Sequence, residues 1–252
     1  MSASATSAAV RLAELLRSAD RVLALTGAGI SVPSGIPDFR SPGTGLWADV
    51  DPMEVAHIGV FRREPQRFWQ FYGNRFTALR GKRPNGAHHA LVELERRGVI
   101  EAVVTQNIDG LHLLAGTREL IEVHGSIGTS SCLECRARFD LPDVRARLDA
   151  AVDGVPRCDC GAPLKPDVVL FGELLPEAAL ERASDLAARA DVLLCVGSSL
   201  EVYPVAQLPQ ITLAAGGKVA LVTKGPTPYD SDAVVKLDGD VVLELEAVLA
   251  AL

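Results

Sequence analysis

Four cysteines lie in two closely spaced pairs in the middle of the chain, Cys132-x-x-Cys135 and Cys158-x-Cys160. Two tight thiolate pairs are a common ligand set for a tetrahedral structural zinc ion. Four sulfur ligands close the coordination sphere and leave no position for an activated water, so the predicted role of the zinc is structural. Disulfide bonds are the alternative, although the odd total of five cysteines fits a reducing compartment better. The fifth, Cys195 in the apolar segment DVLLCVG, is predicted to be a buried core thiol.

A glycine loop is the second feature with chemical potential, because a predicted apolar strand runs directly into TGAGISVPSG (Thr26–Gly35). Gly27 and Gly29 would let the backbone approach a pyrophosphate, and bare N–H groups in such a turn can bind anionic oxygens. The third glycine of the dehydrogenase pattern is replaced by Val32, and Pro33 prevents an ordinary helix from starting there. These departures disfavour a hydride-transferring dehydrogenase. They leave open a dinucleotide site of another geometry and a tight turn without a ligand.

The elements that would position these residues are short apolar segments alternating with helical patterns. We predict strands over residues 21–26, 99–107, 119–125, 166–173, 191–199, 218–223 and 233–238. Helical patterns cover residues 8–19, 176–190 and 240–252. This alternation predicts an α/β fold with a doubly wound, mostly parallel, Rossmann-like sheet that is covered by helices on both faces.

Two stretches interrupt the alternation and are predicted to form a smaller domain. Residues 41–84 are rich in proline, glycine, arginine and aromatics, and residues 126–165 hold four cysteines and show little strand character. We therefore predict a discontinuous Rossmann-like domain and a small domain with a helical and a zinc-binding part. The first comprises residues 1–40, 85–125 and 166–252, and the second comprises residues 41–84 (helical) and 126–165 (zinc-binding).

Composition limits the function classes. The chain has 252 residues, 48% of them hydrophobic and 23% charged, which is typical of a globular protein. Its net charge of −7 argues against a general affinity for nucleic acid or for anionic membranes. No apolar run approaches the roughly 20 residues that span a bilayer, and the start, MSASATSAAV, lacks the pattern of a secretory signal. We expect a cytoplasmic protein; the sequence does not specify its oligomeric state.

Four motifs together carry a family resemblance: GAGISVPSGIPDFR (Gly27–Arg40), TQNIDGLH (Thr105–His112), HGS (His124–Ser126) and GSSLEVYP (Gly197–Pro204). In this order and spacing they resemble the sirtuins, NAD-dependent protein-lysine deacylases, over nearly the whole chain. The resemblance implies NAD as a consumed co-substrate, acylated-lysine proteins or peptides as partners, and nicotinamide and O-acyl-ADP-ribose as products. Two alternatives stay open: a protein mono-ADP-ribosyltransferase on the same NAD site, and a non-catalytic NAD-sensing adaptor.

The resemblance also implies the catalytic residues. In sirtuin chemistry the acyl-lysine carbonyl oxygen captures the anomeric carbon of the ribose, and a base then removes a ribose hydroxyl proton. His124 matches that base, and an imidazole titrates in the range that this role needs. Asn107 and Asp109 match the pair that binds the departing nicotinamide and disfavours planar, stable NAD. Gln106 would hydrogen-bond the ribose hydroxyls beside His124.

Further positions match cofactor contacts of the family. Phe39 would shield the ribose face after nicotinamide leaves, and the fixed charge of Arg40 suits the diphosphate. Thr223 stands where many relatives have an asparagine that contacts the adenosine ribose. The threonine side chain has a hydroxyl that can form hydrogen bonds, but it lacks the amide of asparagine. The complete predicted cofactor set is Ala28, Gly29, Asp38, Phe39, Arg40, Gln106, Ile108, Asp109, Gly197, Ser198, Thr223, Asp240 and Val241.

The acyl group is predicted from two further matches. Val169 and Phe171 match residues that line an apolar tunnel around the lysine stem. The peptide would add as a strand between Gly172–Glu173 and Glu201–Tyr203. Tyr72 and Arg75 have the Tyr-x-x-Arg spacing of the sirtuin class that removes succinyl and malonyl groups, and GTGLW (residues 43–47) is similar to that class too. Asp38 stands where that class often has threonine. We expect the enzyme to remove acetyl groups from lysine, and we expect removal of succinyl and malonyl groups as well.

Overall fold

The computed structural model describes residues 7–38, 50–79 and 81–252, without the side chains at positions 74, 75, 77 and 78. The predicted cofactor contacts Phe39 and Arg40, the GTGLW segment and the side chain of Arg75 lie outside the described part.

Six parallel strands form the main sheet. Every strand pair in it is parallel, and the strands at its centre are short and fully buried, as expected for a sheet covered on both faces. The strands are β1 (Val22–Thr26), β2 (Ala102–Thr105), β3 (Leu120–Glu122), β7 (Val192–Val196), β8 (Lys218–Val222) and β9 (Ala233–Leu237). Their spatial order is β3-β2-β1-β7-β8-β9. This order confirms the predicted doubly wound fold, whose ligand crevice lies where the strand order reverses, between β1 and β7.

Helices cover both faces of this sheet through apolar side chains. One face packs against α1 (Ser7–Ser18), α5 (Gly86–Arg96) and α10 (Val241–Ala251). The other face packs against α8 (Glu177–Arg189) and α9 (Leu208–Ala214). The short helix α6 (Leu111–Ala115) follows β2, and a 3₁₀ turn spans Val205–Gln207.

A separate three-stranded antiparallel sheet, ordered β5-β4-β6, lies beside the main sheet. It consists of β4 (Gly125–Cys132), β5 (Arg138–Asp140) and β6 (Leu164–Val168), with α7 (Leu141–Ala150) after β5. Two predictions are wrong here. The stretch 126–165 does contain strands, and the run 166–173 contributes to β6, which pairs with β4 instead of joining the parallel sheet. The polar sequence of β4, GSIGTSSC, lacks the apolar run that identified the other strands. The domain division stays a prediction.

The aromatic helix α4 (Pro65–Ala78) packs with α2 (Pro52–Val55) and α3 (Ile58–Arg63) in a third core. Phe68 and Trp69 are almost fully buried in it. The indole Nε1 of Trp69 donates to the carbonyl of Leu164 at 3.0 Å, which fixes α4 on β6. This core therefore joins the helical segment to the cysteine-bearing sheet. Among the described helices, none combines the length and apolar character needed to cross a membrane.

Candidate active site

A cavity of about 730 Å³ opens at the carboxyl ends of β1 and β7, where the reversal of strand order predicts a ligand site. The predicted cofactor residues that line it are Ala28, Gly29, Asp38, Gln106, Ile108, Gly197, Ser198, Thr223, Asp240 and Val241. His124 and Asn107 line it as well, together with the predicted substrate residues Tyr72, Val169, Phe171 and Gly172. Of the predicted catalytic, cofactor and substrate residues with described side chains, Asp109 alone does not line the cavity.

The glycine loop forms a 3₁₀ helix over Ala28–Ser34 that contains Pro33, in agreement with the expected absence of an ordinary helix. The N–H groups of Gly27 and Gly29 donate to the carbonyls of Val196 and Gly197, at 3.0 and 2.8 Å. Binding of a phosphate by other N–H groups of the loop stays a prediction. A Cβ atom at position 29 would lie 2.8 Å from the Cα of Gly197, so glycine is needed here for backbone packing. The loop is thereby held on the end of β7.

His124 lies between β3 and β4 and faces the cavity with a defined tautomer. Its Nδ1 contacts the carbonyl of Gln106 at 2.9 Å, and because a carbonyl only accepts, Nδ1 carries the hydrogen. In the neutral ring the lone pair is then on Nε2. Burial lowers the pKa of His124 below its ordinary value of 6.5, and the bond to Gln106 opposes this in part. The imidazole is therefore neutral near pH 7 and able to accept a proton.

Asn107 is buried and its amide is held by the glycine loop. Its Nδ2 donates to the carbonyl of Gly27 at 3.1 Å and to the Ser31 hydroxyl at 3.2 Å, which leaves Oδ1 as the acceptor for a ligand. The Ser31 hydroxyl in turn donates to Asp109 Oδ2 at 2.7 Å, while Asp109 Oδ1 accepts from the Leu111 N–H at 2.9 Å. Asp109 thus lies behind Ser31. Sequence reasoning did not single out Ser31, although its place inside the glycine motif was a usable signal.

Gln106 reaches across to β7, where its Nε2 donates to the Ser198 hydroxyl at 2.9 Å. At the far end of the cavity, Thr223 is buried at the end of β8 and is followed by an exposed lysine, Lys224, which the sequence reasoning had not named. Asp240 is the N-cap of α10, because its carboxylate accepts from the N–H groups of Val242 and Leu243. The Thr223 hydroxyl at this end can donate a hydrogen bond to a polar group of a ligand or accept one from it.

The predicted acyl-lysine side lies next to His124. The carbonyl of His124 accepts from the N–H of Val169 at 2.9 Å, so the imidazole and the start of this segment are tied by backbone. The following turn is fixed by a nearly buried ion pair between Lys165 Nζ and Glu173 Oε2 at 2.9 Å. Between them, Phe171 is 43% exposed at the cavity edge, and Gly172 has a φ of +83°. An apolar stem entering here would meet Val169 and Phe171.

Tyr72 is buried on α4 and lines the cavity. Its ring stacks on Phe68 with centroids 4.5 Å apart and planes 12° from parallel. This stacking fixes the direction of the phenol, which is the condition for a specific polar contact with an acyl group.

The four paired cysteines converge. Their sulfur atoms all lie within 4.8 Å of one another, with the Sγ atoms of Cys132 and Cys160 3.5 Å apart and those of Cys135 and Cys158 3.4 Å apart. Zn–S bonds of about 2.3 Å in a tetrahedron place sulfurs about 3.8 Å apart, so the donor set fits zinc. A hydrogen bond from the Cys135 N–H lowers the pKa of Cys132 from its ordinary value. Cys195 is fully buried in β7, as predicted.

Three histidines without an assigned catalytic role form hydrogen bonds within the protein. His57 caps α3 by accepting from the Gly59 N–H at 2.8 Å. His88 completes the capping box of α5 with Asn85. His112 is 2% exposed and contacts the Thr26 hydroxyl at 2.9 Å, a contact that no sequence signal indicated.

The strand order and the crevice at its reversal define a Rossmann-type nucleotide-binding protein. Comparison with known proteins then gives the family: the model of the Sir2 family matches residues 27–204. The chain belongs to the Sir2 family.

Individual relatives agree in sequence and structure. An NAD-dependent protein deacetylase of Sulfolobus acidocaldarius is 46% identical over 230 residues, covering 90% of this chain and 89% of that protein. A Sir2 variant solved with a deacetylated p53 peptide and 3'-O-acetyl ADP ribose superposes with a TM-score of 0.91 at 41% identity, covering 95% of this chain and 96% of that one. Sir2Tm bound to a propionylated peptide superposes with a TM-score of 0.86 at 40% identity, with the same coverage.

Proposed function

We propose that this protein is an NAD-dependent protein-lysine deacylase that releases nicotinamide and O-acyl-ADP-ribose. The observation that carries the proposal is a neutral imidazole, His124, in one cavity with the held amide of Asn107 at the reversal of strand order. The family supports it, since relatives are named NAD-dependent protein deacetylases or deacylases. The main alternatives, ADP-ribosyl transfer to protein and NAD sensing without turnover, have no observation in their favour.

Asn107 and Asp109 would act first, on the nicotinamide end. When bound, NAD supplies an electrophilic anomeric carbon with nicotinamide as its leaving group. Oδ1 of Asn107 would accept from the carboxamide, and Asp109 would act beside it through Ser31, which receives hydrogen bonds from Asn107 and donates to Asp109. Holding the carboxamide turned away from the ribose stabilises the geometry of bond breaking, a form of preorganisation.

His124 would act next, on a ribose hydroxyl. The acyl-lysine carbonyl oxygen has by then bonded to the anomeric carbon, and the hydroxyl attacks the former carbonyl carbon only if its proton is removed. Water then adds at that carbon and the lysine amine leaves, which gives O-acyl-ADP-ribose. Nε2 of His124 is the available base, because Nδ1 is held by Gln106. The backbone tie from His124 to Val169 places the base and the acyl tunnel side by side.

The peptide itself would bind as a strand. Gly172 and Glu173 on one side and Val202 and Tyr203 on the other line the same cavity edge. Backbone hydrogen bonds between strands do not read side chains, so we expect broad tolerance of peptide sequence.

The proposal is tested by mixing the protein with NAD and an acetyl-lysine peptide and following masses. We expect deacylated peptide together with O-acetyl-ADP-ribose. A peptide that gains the mass of ADP-ribose would instead support the transferase, and the absence of any NAD turnover would support the adaptor.

The pH dependence of kcat/KM should report the titration of His124. Its pKa lies below 6.5, and the neutral ring is the active form. Activity is therefore expected to be constant above about pH 7 and to fall with a limiting slope of one as the pH drops through that lowered pKa. The profile is measured between about pH 5 and pH 9 with saturating NAD. A rate that increases towards acid pH would contradict a base at this position.

Arg75 should decide between acyl groups. On α4, Tyr72 and Arg75 are three residues apart and share a helix face, and a guanidinium can grip a distal carboxylate. We expect Arg75→Met to lower kcat/KM for succinyl-lysine peptide by about 10- to 100-fold, the value of a charge-assisted hydrogen bond, and to leave acetyl-lysine peptide within about threefold. Arg67→Met, at an exposed ion pair on the same helix, is the control. Equal losses on both peptides would refute a carboxylate-binding role.

Zinc and location complete the proposal. We propose that Cys132, Cys135, Cys158 and Cys160 hold one structural zinc ion, and that the protein works in the cytoplasm. The described cysteines are all free of disulfides, and the four sulfurs are arranged for a metal, as in a reducing compartment. Cell fractionation with an antibody to the native protein would test the location.

A further inference from the structure

A chain of buried polar side chains runs beneath the floor of the cavity. Nε2 of His112 lies 2.9 Å from the Thr26 hydroxyl, and that hydroxyl donates to the Thr105 hydroxyl at 2.8 Å. The Thr105 hydroxyl also accepts from the backbone N–H of Asn107 at 3.1 Å. Relative exposure is 0% for Thr26 and 2% for both Thr105 and His112. The chain therefore ends on the backbone of a residue proposed to bind nicotinamide.

The direction of the hydrogen bond to His112 follows from that of the bond between the two threonines. The hydroxyl of Thr26 has a single hydrogen, which it donates to Thr105, so it must accept from His112. His112 accordingly carries its hydrogen on Nε2. Burial lowers the pKa of His112 to about 3, which keeps the ring neutral. With both of its lone pairs engaged, Thr105 has a defined orientation.

These polar side chains occupy buried positions at which apolar side chains could pack equally well in the sheet. Thr26 and Thr105 are paired in register as the last residues of β1 and β2, and the residues before them in both strands are buried alanine, valine and leucine. Burying hydroxyls and an imidazole costs free energy that valine and phenylalanine would not incur. Two ring nitrogens, Nδ1 of His112 and Nε2 of His88, are buried without a hydrogen-bond partner among the described residues, which adds to that cost. A chain retained at such cost has a task besides packing.

We propose that His112 is a positioning residue for Asn107, acting through Thr26 and Thr105 to fix the backbone from which Asn107 presents its amide to nicotinamide. This inference rests on the proposed function for its ligand, and on the hydrogen bonds above for its geometry. Asn107 depends on that backbone position because its Nδ2 must reach both Gly27 and Ser31 at once. A displaced backbone would misplace Oδ1, the atom proposed to meet the carboxamide.

The rival explanation is that His112 only fills space. Its ring lies 4.9 Å from that of His88 with the planes tilted by 59°, so the two rings also pack in the core. Packing depends on ring shape, whereas positioning depends on the N–H that His112 donates. Variants that separate shape from the donor therefore separate the two explanations.

The experiment compares His112→Phe, which keeps an aromatic ring and loses the donor, with His112→Gln, which offers an amide N–H near the position of Nε2. Thr26→Val and Thr26→Ser form a second pair that removes or keeps the hydroxyl, and His89→Gln on the exposed side of α5 is the control. Three quantities are measured for each variant. They are the nicotinamide concentration that half-saturates exchange of labelled nicotinamide into NAD, the peptide KM, and the hydrogen-exchange rate of the backbone N–H of Asn107 without ligands.

We expect His112→Phe and Thr26→Val to raise the half-saturating nicotinamide concentration and the Asn107 exchange rate about tenfold each, the effect of one lost buried hydrogen bond. His112→Gln and Thr26→Ser should stay within about threefold of the wild type, and peptide KM should change by less than about twofold in all variants. The double variant His112→Phe/Thr26→Val should be no worse than either single variant, because both break one chain.

Equal behaviour of the Phe and Gln variants, or of the Val and Ser variants, would overturn the proposal, and so would a peptide KM that moves with nicotinamide. Should His112→Phe fail to fold, the Thr26 pair decides by the same criteria. Failure of the proposed function has a different signature, since the wild type would then show no nicotinamide exchange while the Asn107 amide still responded to the donor-removing variants.

Discussion

Replacing His124 with alanine is expected to lower the rate of deacylation by about 10²- to 10⁴-fold, the usual contribution of a general base. The physical reason is that Nε2 of His124 is the available base at the hydroxyl step, because Nδ1 is bound to the Gln106 carbonyl. Nicotinamide exchange should persist in His124→Ala, because cleavage of the nicotinamide bond and capture by the acyl oxygen precede that proton transfer. Single-turnover kinetics with an acetyl-lysine peptide measure the first quantity, and exchange of labelled nicotinamide measures the second.

The matched control is His89→Ala, which removes an exposed imidazole from α5 and should leave both rates unchanged. A deacylation rate that is unchanged in His124→Ala would show that His124 is not the general base. Loss of deacylation and exchange in equal measure would point to a binding defect at this position instead of a missing base.

Replacing Cys132 with serine is expected to abolish zinc binding and to destabilise the protein severely. Cys132 is buried in the third core, which also contains Leu164 and Val168. Loss of the metal at this position would therefore also disturb the packing of this core. Structural zinc contributes on the order of 10 kcal/mol to the folding of small zinc modules, enough to unfold this part of the molecule. Elemental analysis should change from one zinc per chain to none, with a fall in Tm of more than about 10 °C.

The control is Cys195→Ala, which removes a thiol of similar burial in β7 and should keep the zinc and most of the stability. Activity should fall with the zinc, because β6 leads directly into Val169 and Phe171 at the cavity edge. A Cys132→Ser protein with full zinc content and an unchanged Tm would show that the four sulfurs do not form one metal site.

The fold class was predictable because the apolar strands of a parallel sheet leave a clear sequence pattern. The segment before Gly27 and the segment around Cys195 became β1 and β7, whose carboxyl ends meet at the cavity. The four cysteines could be read from spacing alone, since thiolates in two tight pairs converge readily. The antiparallel sheet could not, because the largely polar sequence of β4 has no apolar run and its partner β6 is distant in sequence.

The details of the site depended on contacts across the sheet. Gly29 lines the cavity as predicted. Its N–H, however, donates to the carbonyl of Gly197, which lies nearly 170 residues further along the chain. The partnership of Ser31 with Asn107 and that of His112 with Thr26 likewise join different loops and strands. A single sequence gives no period or spacing for such pairs, so they became visible only in the structure.

The most direct test of the account uses an acetyl-lysine peptide with oxygen-18 in the acyl carbonyl, quenched early in the reaction with NAD. If the acyl oxygen bonds to the anomeric carbon before the ribose hydroxyl attacks, the label stays on C1' of the ribose, and mass spectrometry finds it in the ADP-ribose part of O-acetyl-ADP-ribose. Labelled acetate together with intact NAD would mean that water cleaves the amide directly, and the role proposed for His124 would then be wrong.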